Sequence, residues 1–291
     1  MIIAPPFLLA GQQTLSVELD RIVPPADREP SNVHRSIRYT LLGPSKRVRG
    51  VLTLAVTDLL GGSQQAALAA ASAIELVHAS SLILDDLPAM DDTNTRRGRP
   101  ANHVEFGEAT AILAAVGLLN LAFGHVAASY DAPLAAALAR VLSETIGSDG
   151  LIGGQAADLE LPAQALRLSE LEPVHHRKTA VLFQAAARSG ALVGGASQAE
   201  SERLAAFGDL VGLAFQIADD VLDIEHDKVE LPAGGSSNDG HRAHVAWLAD
   251  PEGGRRRARE LAHLAIESLA SFGDRAGKLR ALAGFLVKRT E

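Results

Sequence analysis

Ser80–Pro100 reads SSLILDDLPAMDDTNTRRGRP. It ends an apolar helical run with the aspartates Asp85, Asp86, Asp91 and Asp92 and then supplies the adjacent Arg96 and Arg97. Charge this dense beside hydrophobic chain needs a counterion, and the residue types indicate which. Asp85, Asp86 and Asp91 are hard oxygen donors suited to Mg²⁺, whereas Arg96 and Arg97 present forked donors suited to phosphate. A second acidic cluster, Phe215–Asp223 (FQIADDVLD), lies far downstream. Two acidic clusters framing basic residues point to a diphosphate held through metal ions, with apolar helices forming a pocket for a hydrocarbon tail.

Immediately upstream, Ala71, Ile74, His78, Ser81 and Asp85 recur at three- and four-residue intervals and so share one helix face. That face starts apolar and ends at the aspartates, so His78 either donates to a phosphate oxygen beside Asp85 or is an ordinary packed helix residue. Pro88 stops the helix after Leu87 and lets Asp91 fold back toward Asp85. In the second cluster Gln216, Asp219, Asp220 and Asp223 project to one side of a helix. Like charges at that spacing repel unless a cation neutralises them. Neither cluster has the ligand pattern or closing glutamate of a calcium EF-hand loop.

Four further stretches bear on the same chemistry. Gly43–Gly50 (GPSKRVRG) puts Lys46, Arg47 and Arg49 in the opening turns of a helix predicted over 46–60. Cations there oppose the helix macrodipole, so either a bound diphosphate meets Lys46 and Arg49 or the turn is simply solvated. Gly150–Leu161 (GLIGGQAADLEL) sets Gln155 and Asp158 one turn apart behind small residues, as a site wall or a structural contact. His175–Thr179 (HHRKT) opens an apolar helix with Lys178 at the edge of its core stripe, and its adjacent histidines lack the one-turn spacing of a zinc pair. Glu230–Gly240 (ELPAGGSSNDG) is expected to be a mobile flap, and the Arg255–Arg259 run (RRRAR) a solvated helix face.

Over the rest of the chain, periodicity predicts helices at 12–23, 32–42, 63–84, 107–129, 132–146, 168–193, 199–225, 251–271 and 275–289, with short Gly, Pro, Ser and Asn breaks. This reads as a single all-α domain over residues 1–291. The composition agrees, being 47% hydrophobic but only 4% aromatic. A formal charge of −8 argues against a nucleic-acid partner. The absence of cysteine excludes disulfides and thiolate metal sites, and a cytoplasmic location is the expectation. The opening MIIAPPFLLAG lacks a basic flank and is broken by Pro5 and Pro6, so it reads as a loose or packed tail rather than a secretory signal. No run of about 18 uninterrupted apolar residues occurs, and no transmembrane segment is expected.

With these residues assembled, the chain from about Gly43 onward resembles the trans-isoprenyl (polyprenyl) diphosphate synthases of short-chain type. DDLPAMDDTNTRRGRP matches the first aspartate-rich motif of that family with its arginine pair, and FQIADDVLD matches the second. KRVR, ELVH, GGQAADLE and HRKT occur between them and before them in the family's order. The resemblance implies an all-α bundle around a deep central cavity, commonly a homodimer, with the two clusters facing each other across the mouth. It implies Mg²⁺ as cofactor, three ions with substrate bound. Asp85, Asp91 and Asp219 would bind the metal most directly, with Asp86, Asp220 and Asp223 in support. Lys46, Arg49, His78 and Arg97 would hold isopentenyl diphosphate. Arg96 and Lys178 would hold an allylic diphosphate (dimethylallyl, geranyl or farnesyl), with Lys178, Thr179 and Gln216 serving the reaction and the last two facing the developing carbocation.

The implied activity is head-to-tail condensation of those two substrates. Ser80 and Ser81 are small where farnesyl-making relatives often carry an aromatic residue, so the cavity floor looks open and geranylgeranyl diphosphate is the expected product. A farnesyl or longer product, or a noncatalytic partner subunit, remain the alternatives. They stay open because the chain departs from the family pattern. LPAGGSSNDGHRAHV replaces the usual flap lysines, Leu84 stands where a histidine often precedes the aspartates, and AAVGLL puts Val116 at an aspartate position.

Overall fold

The computed structural model describes residues 4–160, 168–230 and 250–288, the side chains of 168–170 and 223–230 excepted. The helices are α1 Pro6–Ile22, α2 Ser31–Leu41, α3 Val48–Leu59, α4 Gln64–Asp85, α5 Asn102–Phe106, α6 Glu108–Ser129, α7 Ala132–Ile146, α8 Leu151–Glu160, α9 Leu168–His175, α10 Val181–Val193, α11 Gln198–Glu230, α12 Pro251–Ser268 and α13 Gly277–Lys288. A two-residue hairpin, β1 Thr95–Arg96 and β2 Arg99–Pro100, sits between α4 and α5, and a π-helical turn, His176–Ala180, joins α9 to α10.

The fold is all-α, and α4 is its axle. Ser63 caps it by accepting from Ala66 N, and residues from Ala67 to Ala79 are buried with the sole exception of His78. An alanine-rich helix offers no bulky side chains, so its neighbours can approach on several sides at once. Helices α3, α6 and α10 pack against it, and α10 passes the contact on to α11 and then α12. Leu52, Ile74, Leu76, Phe183 and Phe207 are fully buried in the main core. A smaller apolar cluster, including Ile217, Val221 and Leu261, ties α11 to α12. The C-terminal end of α4 and the middle of α11, which carry the two acidic clusters, are thereby held by packing rather than by loops.

Several local expectations are corrected. The N-terminal segment is a helix from Pro6, because proline at the first helical position lacks only an N–H that has no intrahelical partner there. Leu8, Leu15 and Leu19 of α1 lie in the core. Helix α3 starts at Val48, not at Lys46, because Arg47 takes a left-handed φ of 50°. That turn buries the Arg47 guanidinium, which reaches Glu75 at 3.4 Å and donates to the Leu41 carbonyl. Residues 151–160 form a helix, and the single helix expected over 168–193 is broken by the π turn. Arg257 of the basic run pairs with Glu172 of α9 at 2.8 Å instead of facing solvent alone.

Two described helices, α4 and α6, are long and apolar enough on average to cross a membrane, although neither is an uninterrupted apolar run. Helix α4 is the core helix and carries Glu75 and His78. Helix α6 buries one face and leaves Ile112, Leu113 and Val116 exposed on another.

Candidate active site

Three adjoining cavities run through the bundle. The central one, about 340 Å³, is lined by Asp85 and Asp91 from the first cluster and by Asp219 and Asp220 from the second. A basic one of about 540 Å³ shares Arg49, His78, Arg97, Phe215 and Asp219 with it, and adds Lys46. An apolar one of about 290 Å³ shares Ser81, Asp85 and Leu151 with it, and continues between Val77, Leu84, Leu119 and Ile146. Charge therefore changes along the path from cationic through anionic to neutral.

At the first cluster α4 ends at Asp85, and the chain turns back so that Asp91 N donates to Asp85 O at 2.9 Å. This is the return that Pro88 allows. Burial, reinforced by Asp91 and Asp86 and opposed by Lys178, raises the Asp85 carboxyl to a pKa of about 7. Asp86 does not reach the central cavity. Its carboxylate is clasped by Arg96, with Nε at 2.7 and 2.8 Å and Nη2 at 2.6 Å, and it lines only a small hollow beside β1 and β2. Arg96 itself still faces the central cavity. The Asp223 side chain and the 231–249 stretch that includes most of the expected flap lie outside the described residues.

Opposite α4, the π turn presents Lys178 and Thr179. It is gripped between two glycines: a Cβ on Gly154 of α8 would lie 2.5 Å from Lys178 N, and one on Gly212 of α11 would lie 2.6 Å from Ala180 Cα. Only residues without a side chain let these backbones meet. Thr179 Oγ1 donates to Gln216 Oε1 at 2.6 Å, and Gln216 Nε2 donates to Asp220 Oδ1 at 2.7 Å. Lys178 Nζ lies 2.6 Å from Asp158 Oδ2 and 3.5 Å from Asp91 Oδ2. Asp158, with its neighbour Gln155, is thus part of the site wall. His175, which the sequence left without a role, lines the cavity with Nε2 3.3 Å from Asp220 Oδ2, and burial lowers its pKa to about 4.

In the basic cavity the Arg49 guanidinium lies over Phe183 at 4.5 Å and Phe215 at 5.7 Å. Burial lowers its pKa to about 10, which leaves it charged near neutrality. Arg49 Nη1 is 3.3 Å from His78 Nε2, and since arginine only donates, that nitrogen accepts. His78 therefore aims Arg49 through this nitrogen rather than offering it to a phosphate. Arg97 Nη1 donates to Pro44 O at 2.8 Å, which ties the arginine pair to the segment carrying Lys46. Below the first cluster, Ser80 Oγ donates to Ala115 O at 2.9 Å between α4 and α6; Ser80 and Ser81 both line the apolar cavity, and Ser81 lines the central one as well.

The donor set of the central cavity fits Mg²⁺. Asp85, Asp91, Asp219 and Asp220 offer carboxylate oxygens to it. Mg²⁺ takes such donors, keeping several waters and binding a few carboxylates together with substrate phosphate oxygens.

Comparison with known proteins agrees with this geometry. A family model described as polyprenyl synthetase matches residues 30–248. The chain is 38% identical over 97% of its length, and 78% of the relative's, to the heterodimeric geranylgeranyl pyrophosphate synthase large subunit 1 of Arabidopsis thaliana. It is 37% identical over 97% of its length, and 79% of the relative's, to a geranylfarnesyl diphosphate synthase of Leucosceptrum canum. Among solved structures, an FPP/GFPP synthase from Zymomonas mobilis superposes with a TM-score of 0.83 at 32% identity, covering 96% of this chain and 97% of that one. The helical bundle, the two acidic clusters on one cavity and these matches place the chain in the polyprenyl synthetase family.

Proposed function

We propose that this trans-prenyltransferase condenses isopentenyl diphosphate with an allylic diphosphate, head to tail, and that its main product is geranylgeranyl diphosphate. The observation that carries the reading is the order of the three cavities: a basic one for one diphosphate, a carboxylate-lined one for the other, and an apolar one for the growing tail. Asp85, Asp91, Asp219 and Asp220 would hold Mg²⁺, which when bound supplies neutralisation of the charge that develops on the leaving diphosphate. Lys178 and Arg96 assist that neutralisation from the wall. Lys46, Arg49 and Arg97 fix the isopentenyl diphosphate so that its double bond faces the allylic carbon. Thr179 and Gln216, joined by their hydrogen bond, turn oxygen dipoles toward the electron-poor carbon, while Leu82, Leu182 and Phe215 exclude water from it.

The product length follows from the apolar cavity. Ser80 is already committed to Ala115 O, and Leu119 and Ile146 line the same apolar cavity as large side chains, which makes them the candidates for the stop. The exposed row Ile112, Leu113 and Val116 on α6 supports a homodimer formed across that helix.

The deciding experiment incubates the protein with Mg²⁺, isopentenyl diphosphate and each of dimethylallyl, geranyl and farnesyl diphosphate, then sizes the products. A C20 product that lengthens in Leu119→Ala is expected. A stop at C15 would overturn the length assignment. Failure to elongate any primer would overturn the enzyme reading in favour of a noncatalytic subunit.

A further inference from the structure

Asp91 has both carboxylate oxygens engaged by its own protein. Gln155 Nε2 donates to Oδ1 at 3.0 Å, and Lys178 Nζ stands 3.5 Å from Oδ2. The ammonium is closer to Asp158, at 2.6 Å, and Asp158 is only 6% exposed. The other oxygen of Asp158, Oδ1, is buried and has no hydrogen-bond partner, and Asp158 lines the central cavity. A cation of the protein's own thus sits against a carboxylate that a divalent ion needs.

We propose that Asp158 is a positioning residue that parks the Lys178 ammonium off Asp91, so that a divalent cation can take Asp91 without competing against the full strength of an internal ion pair. The unpartnered Oδ1 gives Lys178 a second acceptor on the wall. As Asp91 turns to a metal ion, the ammonium can slide across the Asp158 carboxylate and remain solvated by it, instead of following Asp91. Removing Asp158 leaves Lys178 with Asp91 as its nearest carboxylate and sets the two cations in direct competition. The inference rests on the metal-dependent reading above, yet it concerns binding and not turnover.

The test is Mn²⁺ binding to the full-length chain, followed by the EPR signal of the free ion, with and without inorganic pyrophosphate. Asp158→Asn should weaken Mn²⁺ binding about tenfold, the scale of one hydrogen bond to a charged group. Asp158→Glu should restore most of it. Lys178→Met should bind Mn²⁺ alone more tightly than the wild type, and the double variant Asp158→Asn/Lys178→Met should recover at least wild-type affinity. The Lys178→Met result stands by itself if Asp158→Asn folds poorly by circular dichroism. Wild-type affinity in Asp158→Asn, a double variant as weak as the single, or no tightening in Lys178→Met would each overturn the proposal. Absence of Mn²⁺ binding to the wild type in both conditions would instead remove the metal reading, and this inference with it.

Discussion

Asp85 shows how a single carboxyl can be costly to the resting protein and useful to the working one. Its ordinary pKa of 3.8 is raised to about 7 in the fold, first by burial and then by Asp91 and Asp86. Because the folded value lies above the unfolded one, ionisation destabilises the fold: the penalty is absent below about pH 4, grows through the interval up to about pH 7 and is complete above it. Asp85→Asn removes the penalty. Each tenfold change in proton affinity corresponds to roughly 1.4 kcal/mol, so in EDTA the variant should melt several degrees higher than wild type at pH 8, with no gain at pH 4. Equal melting shifts at both pH values would disprove this account. At the same scale, spacing drew attention to Asp85, Asp91, Asp219, Asp220 and Gln216, the family resemblance added Lys178 and Thr179, and all seven line the central cavity. The partnerships were beyond it. Arg96 with Asp86 and Lys178 with Asp158 join residues 10 and 20 positions apart through a hairpin and a helix turn, and no periodicity encodes which carboxylate a cation selects.

Among the elements, the π turn at His176–Ala180 is the least regular and the most consequential. Val181 N reaches back to His176 O, five residues earlier, so one extra residue is accommodated just where Lys178 and Thr179 must face the cavity. Gly154 and Gly212 hold it from both sides. A methyl group on Gly154 would meet backbone rather than a yielding side chain, so Gly154→Ala should cost about 1–3 kcal/mol of stability and reduce kcat more than it raises KM for isopentenyl diphosphate. Unchanged melting and kcat would show that the close approach is dispensable. Most of the helices were legible from apolar spacing, and α7 falls on the predicted 132–146. The exceptions have physical causes. Helix α8 is rich in glycine, which weakens a helix by itself, and it exists because α8 packs on the π turn and α9. The π turn is invisible to a pattern of hydrophobic residues, since the chain on either side of it remains helical.

For the molecule as a whole, α6 has two faces with different tasks. Ala111, Ala114, Ala115 and Leu118 pack inward, while Ile112, Leu113 and Val116 stay 43%, 58% and 57% exposed. On the proposed homodimer across this row, a charge placed in it, as in Val116→Glu, should shift the protein from dimer to monomer in sedimentation velocity while leaving its helical circular dichroism intact. A monomeric wild type would refute the interface. The sequence conveyed that α6 is a helix but not that an apolar face is left over, because which side of a helix the core covers is decided by the neighbours it meets.

The sequence of cavities carries one last consequence. The oily hollow leaves the acidic chamber at Ser81, Asp85 and Leu151, whereas the basic hollow joins it at Arg49, His78 and Arg97. A molecule anchored by its anionic head between those exits can grow only by driving its far end deeper. On the proposed reading such a catalyst would work as a depth gauge, measuring each chain from the head, with Leu119 and Ile146 as the graduation at which growth would end.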